Sequence, residues 1–130
     1  LASYERGLEH ARLARYVQAN EAYEEAIRLR EEAGHVPRVR IAQAEALRHL
    51  GRQREALVVL QSVVEGPDAE SAASALYAIA RSQVDLQQFA EARGTLRQVL
   101  RRFPYAPVAA EARQYLYNLS LPNGAQLLRR

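Results

Sequence analysis

Three stretches of the chain repeat one pattern of residue types: LARYVQANEAYEEAI (residues 13–27), LGRQREALVVLQSVV (50–64) and LQQFAEARGTLRQVL (86–100). Each stretch begins with leucine, has alanine at its seventh position and carries a large apolar residue four positions after that alanine. The copies lie 37 and 36 residues apart. Because a fixed period of this length is typical of stacked supersecondary units, the chain is predicted to be an array of similar elements.

The repeated alanines indicate how those elements pack. They are Ala19, Ala56 and Ala92. A short side chain lets two helix backbones approach to about 8–10 Å, and the residue four positions later lies on the same helix face. We therefore predict an all-α chain of paired helices that cross at the alanines. The predicted helices span about 2–14, 16–33, 36–50, 52–65, 68–85, 88–103 and 106–119. Asp68 is expected to cap the fifth helix, and Pro104 to end the sixth.

The third copy resembles the tetratricopeptide repeat. The residues that carry the resemblance are Ala80, Phe89, Ala92, Leu96, Val99 and the closing Pro104. It implies a right-handed α-solenoid of three helix pairs over about 1–34, 35–66 and 67–104. A capping helix over 106–119 would complete a repeat domain of residues 1–119, with a tail at 120–130. It also implies a scaffold or adaptor that binds a peptide or helix segment of another protein in a concave groove, and no enzyme.

The stretch VLRRFPYAPVAAEARQYLYNL (99–119) is in turn similar to bacterial envelope repeat proteins, such as the periplasmic Tol-Pal-associated protein and the outer-membrane assembly lipoproteins. This similarity implies a bacterial protein and favours the periplasm or cell envelope over the cytoplasm. Because the sequence begins at Leu1 without methionine, we expect a fragment or a processed form.

In tetratricopeptide folds the first helix of each pair lines the groove, so the resemblance also implies a set of groove residues. The repeat register assigns to it Tyr4, Leu8 and Arg12, then Ile41, Glu45, Arg48 and His49, then Tyr77, Arg81 and Asp85. Tyrosines beside arginines suit a peptide that carries carboxylates, because arginine binds them in a bidentate manner. The alternative is an ordinary surface with its own ion pairs, for instance Arg81 with Asp85.

The composition argues against catalysis, and we predict no cofactor and no metal. There is no cysteine, the three histidines are far apart, and neither a phosphate loop nor a nucleophile elbow occurs. The acidic pairs Glu24-Glu25 and Glu31-Glu32 are interleaved with arginines, which indicates a solvated, salt-bridged helix face. No apolar run approaches the ~20 residues that a membrane span requires.

The net charge of +3 leaves two alternative functions open. Residues 1–65 hold ten arginines and ten glutamates, whereas residues 66–130 hold eight arginines and five acids. A basic stripe of Arg93, Arg97 and Arg101 with Arg102 beside them could bind nucleic acid or an anionic surface, or it could be a solvated convex face. No stacking aromatics interleave with the stripe, which disfavours nucleic acid. Self-association through the end helices or Leu127-Leu128 is the other alternative.

Overall fold

The structure is a computed structural model that describes residues 2–29 and 36–124, and these ranges contain helices and no strand. The helices are α1 (Ser3–Arg12), α2 (Tyr16–Arg28), α3 (Val36–His49), α4 (Gln53–Val64), α5 (Ala69–Asp85), α6 (Phe89–Arg102) and α7 (Ala109–Ser120). The predicted all-α helical repeat is confirmed. The second helix was predicted to end at residue 33, but α2 ends at Arg28 with Leu29 as its C-cap, so this predicted end is wrong. Residues 30–35 and the tail beyond residue 124 lie outside the described residues.

Each helix packs against its neighbours in sequence, which is the arrangement expected of a solenoid. In addition, α1 contacts α3 and α3 contacts α5, so the odd-numbered helices lie side by side in one layer. The even-numbered helices are the second members of the pairs. This layering matters for function because it brings side chains from different repeats together on one surface.

The repeated alanines are fully buried, as the pattern predicts. Ala19, Ala56 and Ala92 are each 0% exposed. The large residues four positions later, Tyr23, Leu60 and Leu96, are buried as well. A small apolar cluster around Tyr23 joins α2 to α3, and a larger cluster extends from α3 to α7. The same spacing therefore forms the core of every pair.

One turn occurs three times, between the two helices of each pair. Its central residue has a positive φ: 58° at Ala14, 77° at Gly51 and 62° at Gln87. The next amide donates to a carbonyl five residues back, with nitrogen–oxygen distances of 2.8 Å for Arg15 to His10, Arg52 to Leu47 and Gln88 to Gln83. This is the Schellman ending of a helix, in which glycine is the favoured residue at the left-handed position. Only the second copy has glycine there.

Glycine should therefore stabilise the third turn. The exposed Gln87 makes no side-chain hydrogen bond within the described residues, so Gln87→Gly is expected to raise the free energy of unfolding by roughly 0.5–1 kcal/mol through relief of the left-handed backbone. Gly51→Ala should lower it by about 1 kcal/mol for the same reason. Urea denaturation of the two variants measures both effects. A destabilised Gln87→Gly variant would show that the turn does not carry this strain.

The ends of two helices test the capping predictions. α6 ends at Arg102, and Phe103 separates it from Pro104, as expected. Asp68 does precede α5 with an extended backbone, but its carboxylate accepts no hydrogen bond from a backbone N–H of the helix. It accepts one from the Ser71 hydroxyl instead. Asp68 is therefore the N-cap residue of α5, as predicted, but its carboxylate bonds the Ser71 hydroxyl and not a helix N–H.

Candidate partner-binding groove

The predicted groove residues all lie on the layer of odd-numbered helices, and none of them is fully buried. Leu8 on α1 is 43% exposed, and Arg12 is also exposed. On α5, Tyr77 and Arg81 are half-buried. A surface with this mixture of exposed and half-buried side chains remains accessible to another molecule.

Arg48 is the centre of an ion-pair network that links α3 to α5. Its guanidinium donates to Glu45 at 2.8 Å and to Asp85 at 3.0 Å, and the side chain is only 16% exposed. Burial opposes the positive charge, but the hydrogen bonds from Arg48 to both carboxylates outweigh it and raise the pKa of Arg48 above its ordinary value. The predicted alternative pair, Arg81 with Asp85, is wrong: the carboxylate of Asp85 faces Arg48 on the neighbouring helix.

Nε2 of His49 also lies 3.3 Å from Oε1 of the Glu45 carboxylate. Burial alone would raise the pKa of Glu45, yet the hydrogen bond from Arg48 and the positive charges of Arg48 and Arg81 hold it below its usual value. Glu45 is therefore an ionised member of the network. The charges in the middle of the groove largely neutralise one another.

Arg81 is the exception on this surface. It makes no hydrogen bond and no ion pair with any residue in the ranges 2–29 and 36–124. Burial raises the pKa of both Tyr77 and Tyr115, and the positive charge of Arg81 acts on both phenols in the opposite sense. The two rings meet edge to face, with centroids 5.8 Å apart. A half-buried guanidinium thus stands beside an aromatic pair with its donors unused.

Tyr115 lies beside the predicted groove residues, and the sequence pattern does not assign it to them. It lies on α7, which was assigned only a capping role. The order of the helices could have indicated this position for Tyr115. If first helices of successive pairs form one layer, as α1, α3 and α5 do, then α7 is expected in the same layer. The contact between Tyr77 and Tyr115 places α7 next to the predicted groove residues of α5.

The other end of the groove is an open cavity of about 390 Å³ between α1, α2 and α3. Apolar and aromatic side chains form much of its wall, and these are Leu8, Ala11, Tyr16, Tyr23, Ala42 and Ala46. The ring of Tyr16 stacks on His49 at 4.3 Å with an interplanar angle of 4°. Sequence reasoning missed Tyr16 because it begins the second helix of a pair, which was not expected to reach the groove.

Two features lie apart from the groove. The first acidic pair is part of a salt-bridged surface, as predicted: Arg28 on the same helix lies 4.0 Å from Glu25. The shorter contacts cross to other helices, since Arg6 on α1 pairs with Glu25 at 3.0 Å and Gln43 on α3 donates to Glu24 at 3.4 Å. Glu31-Glu32 lies outside the described residues. The basic stripe lies on α6, on the other layer of the solenoid.

Paired helices stacked in two layers place the chain in the class of all-α helical-repeat proteins. A family model described as tetratricopeptide repeat matches residues 74–104, which cover most of α5 and all of α6. The match supports the tetratricopeptide repeat family, whose repeats are generally protein–protein interaction modules on a non-catalytic scaffold. No curated protein and no solved structure matches the chain. Among the described helices, none combines the length and the apolar character needed to cross a membrane.

Proposed function

We propose that the chain is an interaction scaffold whose groove on the odd-numbered helices binds a segment of a partner protein, with a partner carboxylate at Arg81. The observation that carries this proposal is the unpaired state of Arg81 among the described residues. Arg48, the other half-buried guanidinium of the groove, is already occupied by Glu45 and Asp85. Arg81 therefore has donors left for a ligand.

The surroundings of Arg81 fit a carboxylate on a peptide. An arginine presents parallel N–H groups to both carboxylate oxygens, and such charge-assisted bonds are strong where water is partly excluded. Tyr77 and Tyr115 contribute to that exclusion, since both are half-buried and their rings pack edge to face on this surface. Tyrosine and arginine are also the residue types that most often dominate binding energy at protein interfaces.

The cavity at the other end of the groove adds a second requirement. Its walls at Leu8, Ala42 and Ala46 are apolar, and the stacked Tyr16 and His49 rings close one side. An apolar side chain of a ligand that enters such a cavity is removed from water, which favours binding. The proposed ligand is therefore an extended or helical segment that carries an acidic residue for Arg81 and an apolar residue for the cavity.

Selection from a phage-displayed library of random peptides tests this proposal. We expect the recovered peptides to carry Asp or Glu near an apolar residue. Their affinity should fall about tenfold or more in Arg81→Gln, because a charge-assisted hydrogen bond contributes roughly 1.5–3 kcal/mol. Fluorescence anisotropy with labelled selected peptides measures the loss.

Arg54→Gln is the matched control, since Arg54 is an exposed arginine on α4, outside the groove layer. It should bind the selected peptides as the unchanged protein does. Equal affinity of Arg81→Gln and the unchanged protein, or recovery of no peptide, would refute the proposed role of Arg81.

Three further parts of the functional hypothesis stay predictions. A bacterial source and a periplasmic or envelope location rest on the resemblance of residues 99–119 alone. Self-association through the end helices would need a second copy of the chain, and Leu127-Leu128 lies outside the described residues. The groove proposal does not depend on any of them.

A further inference from the structure

The exposed side of α6 carries an arginine ladder, which we define as Arg93, Arg97 and Arg101. The residues are spaced i, i+4 and i+8, so they follow one face of the helix. Arg97 and Arg101 are exposed, and Arg93 is half-buried. Within residues 2–29 and 36–124, no carboxylate forms an ion pair with any of them.

This lack of partners contrasts with several arginines in the first half of the chain. Several of those pair with an acid: Arg6 with Glu25, Arg12 with Glu9, Arg48 with Glu45 and Asp85, and Arg52 with Glu55. The ladder instead lies in the half of the chain that holds the whole excess of positive charge. Its charges are available to an anionic surface.

An aromatic loop continues from the end of the ladder. Tyr105 is 98% exposed, which is rare for a large aromatic side chain because such rings are usually at least partly buried. It lies between Pro104 and Pro107 beside an apolar cavity of about 270 Å³ that Phe103 also lines. Arg102 lies over the Phe103 ring, 5.0 Å from its centroid. Positive charge and exposed aromatic surface therefore meet at one place.

We propose that the arginine ladder and the Tyr105 loop dock on an anionic lipid bilayer. Guanidinium groups without internal partners are attracted to headgroup phosphates, and several such residues add their effects. Tyrosine is favoured at the boundary between headgroups and acyl chains, where its ring is in apolar surroundings and its hydroxyl is hydrated. The chain has both the basic residues and the exposed tyrosine, and neither the arginine ladder nor the Tyr105 loop belongs to the groove.

A bilayer fits these residues better than nucleic acid does. Binding of a nucleic-acid strand without sequence preference uses aromatic rings placed among the basic residues, so that bases stack while phosphates pair. Here the exposed ring follows the ladder at one end, and apart from Arg97 the exposed residue between Arg93 and Arg101 is Gly94. A flat array of headgroups requires no such alternation.

Flotation with lipid vesicles tests the docking surface. The protein is expected to bind vesicles of phosphatidylglycerol mixed with phosphatidylcholine at low salt, to release them as salt rises, and not to bind pure phosphatidylcholine. R97E/R101E should bind the mixed vesicles about tenfold more weakly or worse, because each basic residue near the surface contributes roughly a fivefold factor. Tyr105→Ser should weaken binding while the dependence on salt is kept.

The matched control is R15E/R54E, which changes the net charge equally at two exposed arginines away from α6. It should keep most of the vesicle binding. Circular dichroism checks that each variant is folded, and R97Q/R101Q replaces the charge-reversal variant if that one is not. The selected groove peptides should bind R97E/R101E normally, so failure of this proposal is distinguishable from failure of the groove proposal.

Three results would overturn the proposal. One is the absence of binding to the mixed vesicles at low salt. Another is an equal loss of vesicle binding in R15E/R54E, which would show that the net charge alone explains the loss in R97E/R101E. The third is tighter binding to a single-stranded oligonucleotide than to the mixed vesicles at the same salt, which would assign the ladder to nucleic acid.

Discussion

Replacement of Leu96 by alanine is expected to lower the free energy of unfolding by about 2–5 kcal/mol. Leu96 is 0% exposed and belongs to the large apolar cluster that joins α3 to α7. Its removal loses the transfer free energy of the side chain and leaves a cavity that the neighbouring helices fill only in part. Since a domain of this size is stable by roughly 5–15 kcal/mol, the loss is a large share of the total.

Urea denaturation followed by far-ultraviolet circular dichroism measures the effect of Leu96→Ala. Val58→Ala is the control: Val58 lies on α4 and is 72% exposed, so the change should stay within about 0.5 kcal/mol. A loss below about 1 kcal/mol for Leu96→Ala would mean that α6 is not packed into the core in the way the structure describes.

The second large effect is expected at Gly7. A Cβ atom at this position would come within 2.4 Å of Cε1 of Tyr23, which is far inside van der Waals contact. The ring of Tyr23 is 1% exposed and cannot move aside without disturbing its neighbours. Alanine gains about 1 kcal/mol in helix propensity, but the overlap at this crossing costs more. We expect Gly7→Ala to lower the free energy of unfolding by roughly 2 kcal/mol net.

Gly94 provides a control of opposite sign. It also lies within a helix, but a Cβ atom there would meet nothing within 4 Å. Gly94→Ala should therefore raise the free energy of unfolding by up to about 1 kcal/mol through helix propensity alone. If both variants shifted stability in the same direction, close approach of α1 to Tyr23 would not be the reason for the glycine at position 7.

The candidate site was only partly predictable from the sequence. The repeat register places Tyr77 and Arg81 on one helix face, and the structure keeps them there beside each other. The repeat register cannot predict which charged side chain on a neighbouring helix will pair with a given residue, because that pairing depends on the distance between the two helix axes. Arg48 pairing with Asp85, which leaves Arg81 without an ion pair in the described ranges, is a result of such packing. Tyr16 and Tyr115 joined the site for the same reason.

The sequence by itself determined the helix pairs, the buried alanines at positions 19, 56 and 92, and the ends of the described helices to within three residues, except at the end of α2. These features follow from local periodicity and side-chain size, which act over one or two turns of a helix. The tertiary structure alone decided which guanidinium of the groove has no ion-pair partner among residues 2–29 and 36–124, and which rings lie beside it. Those outcomes depend on contacts between segments more than 30 residues apart, such as Tyr77 with Tyr115, and no local pattern encodes them.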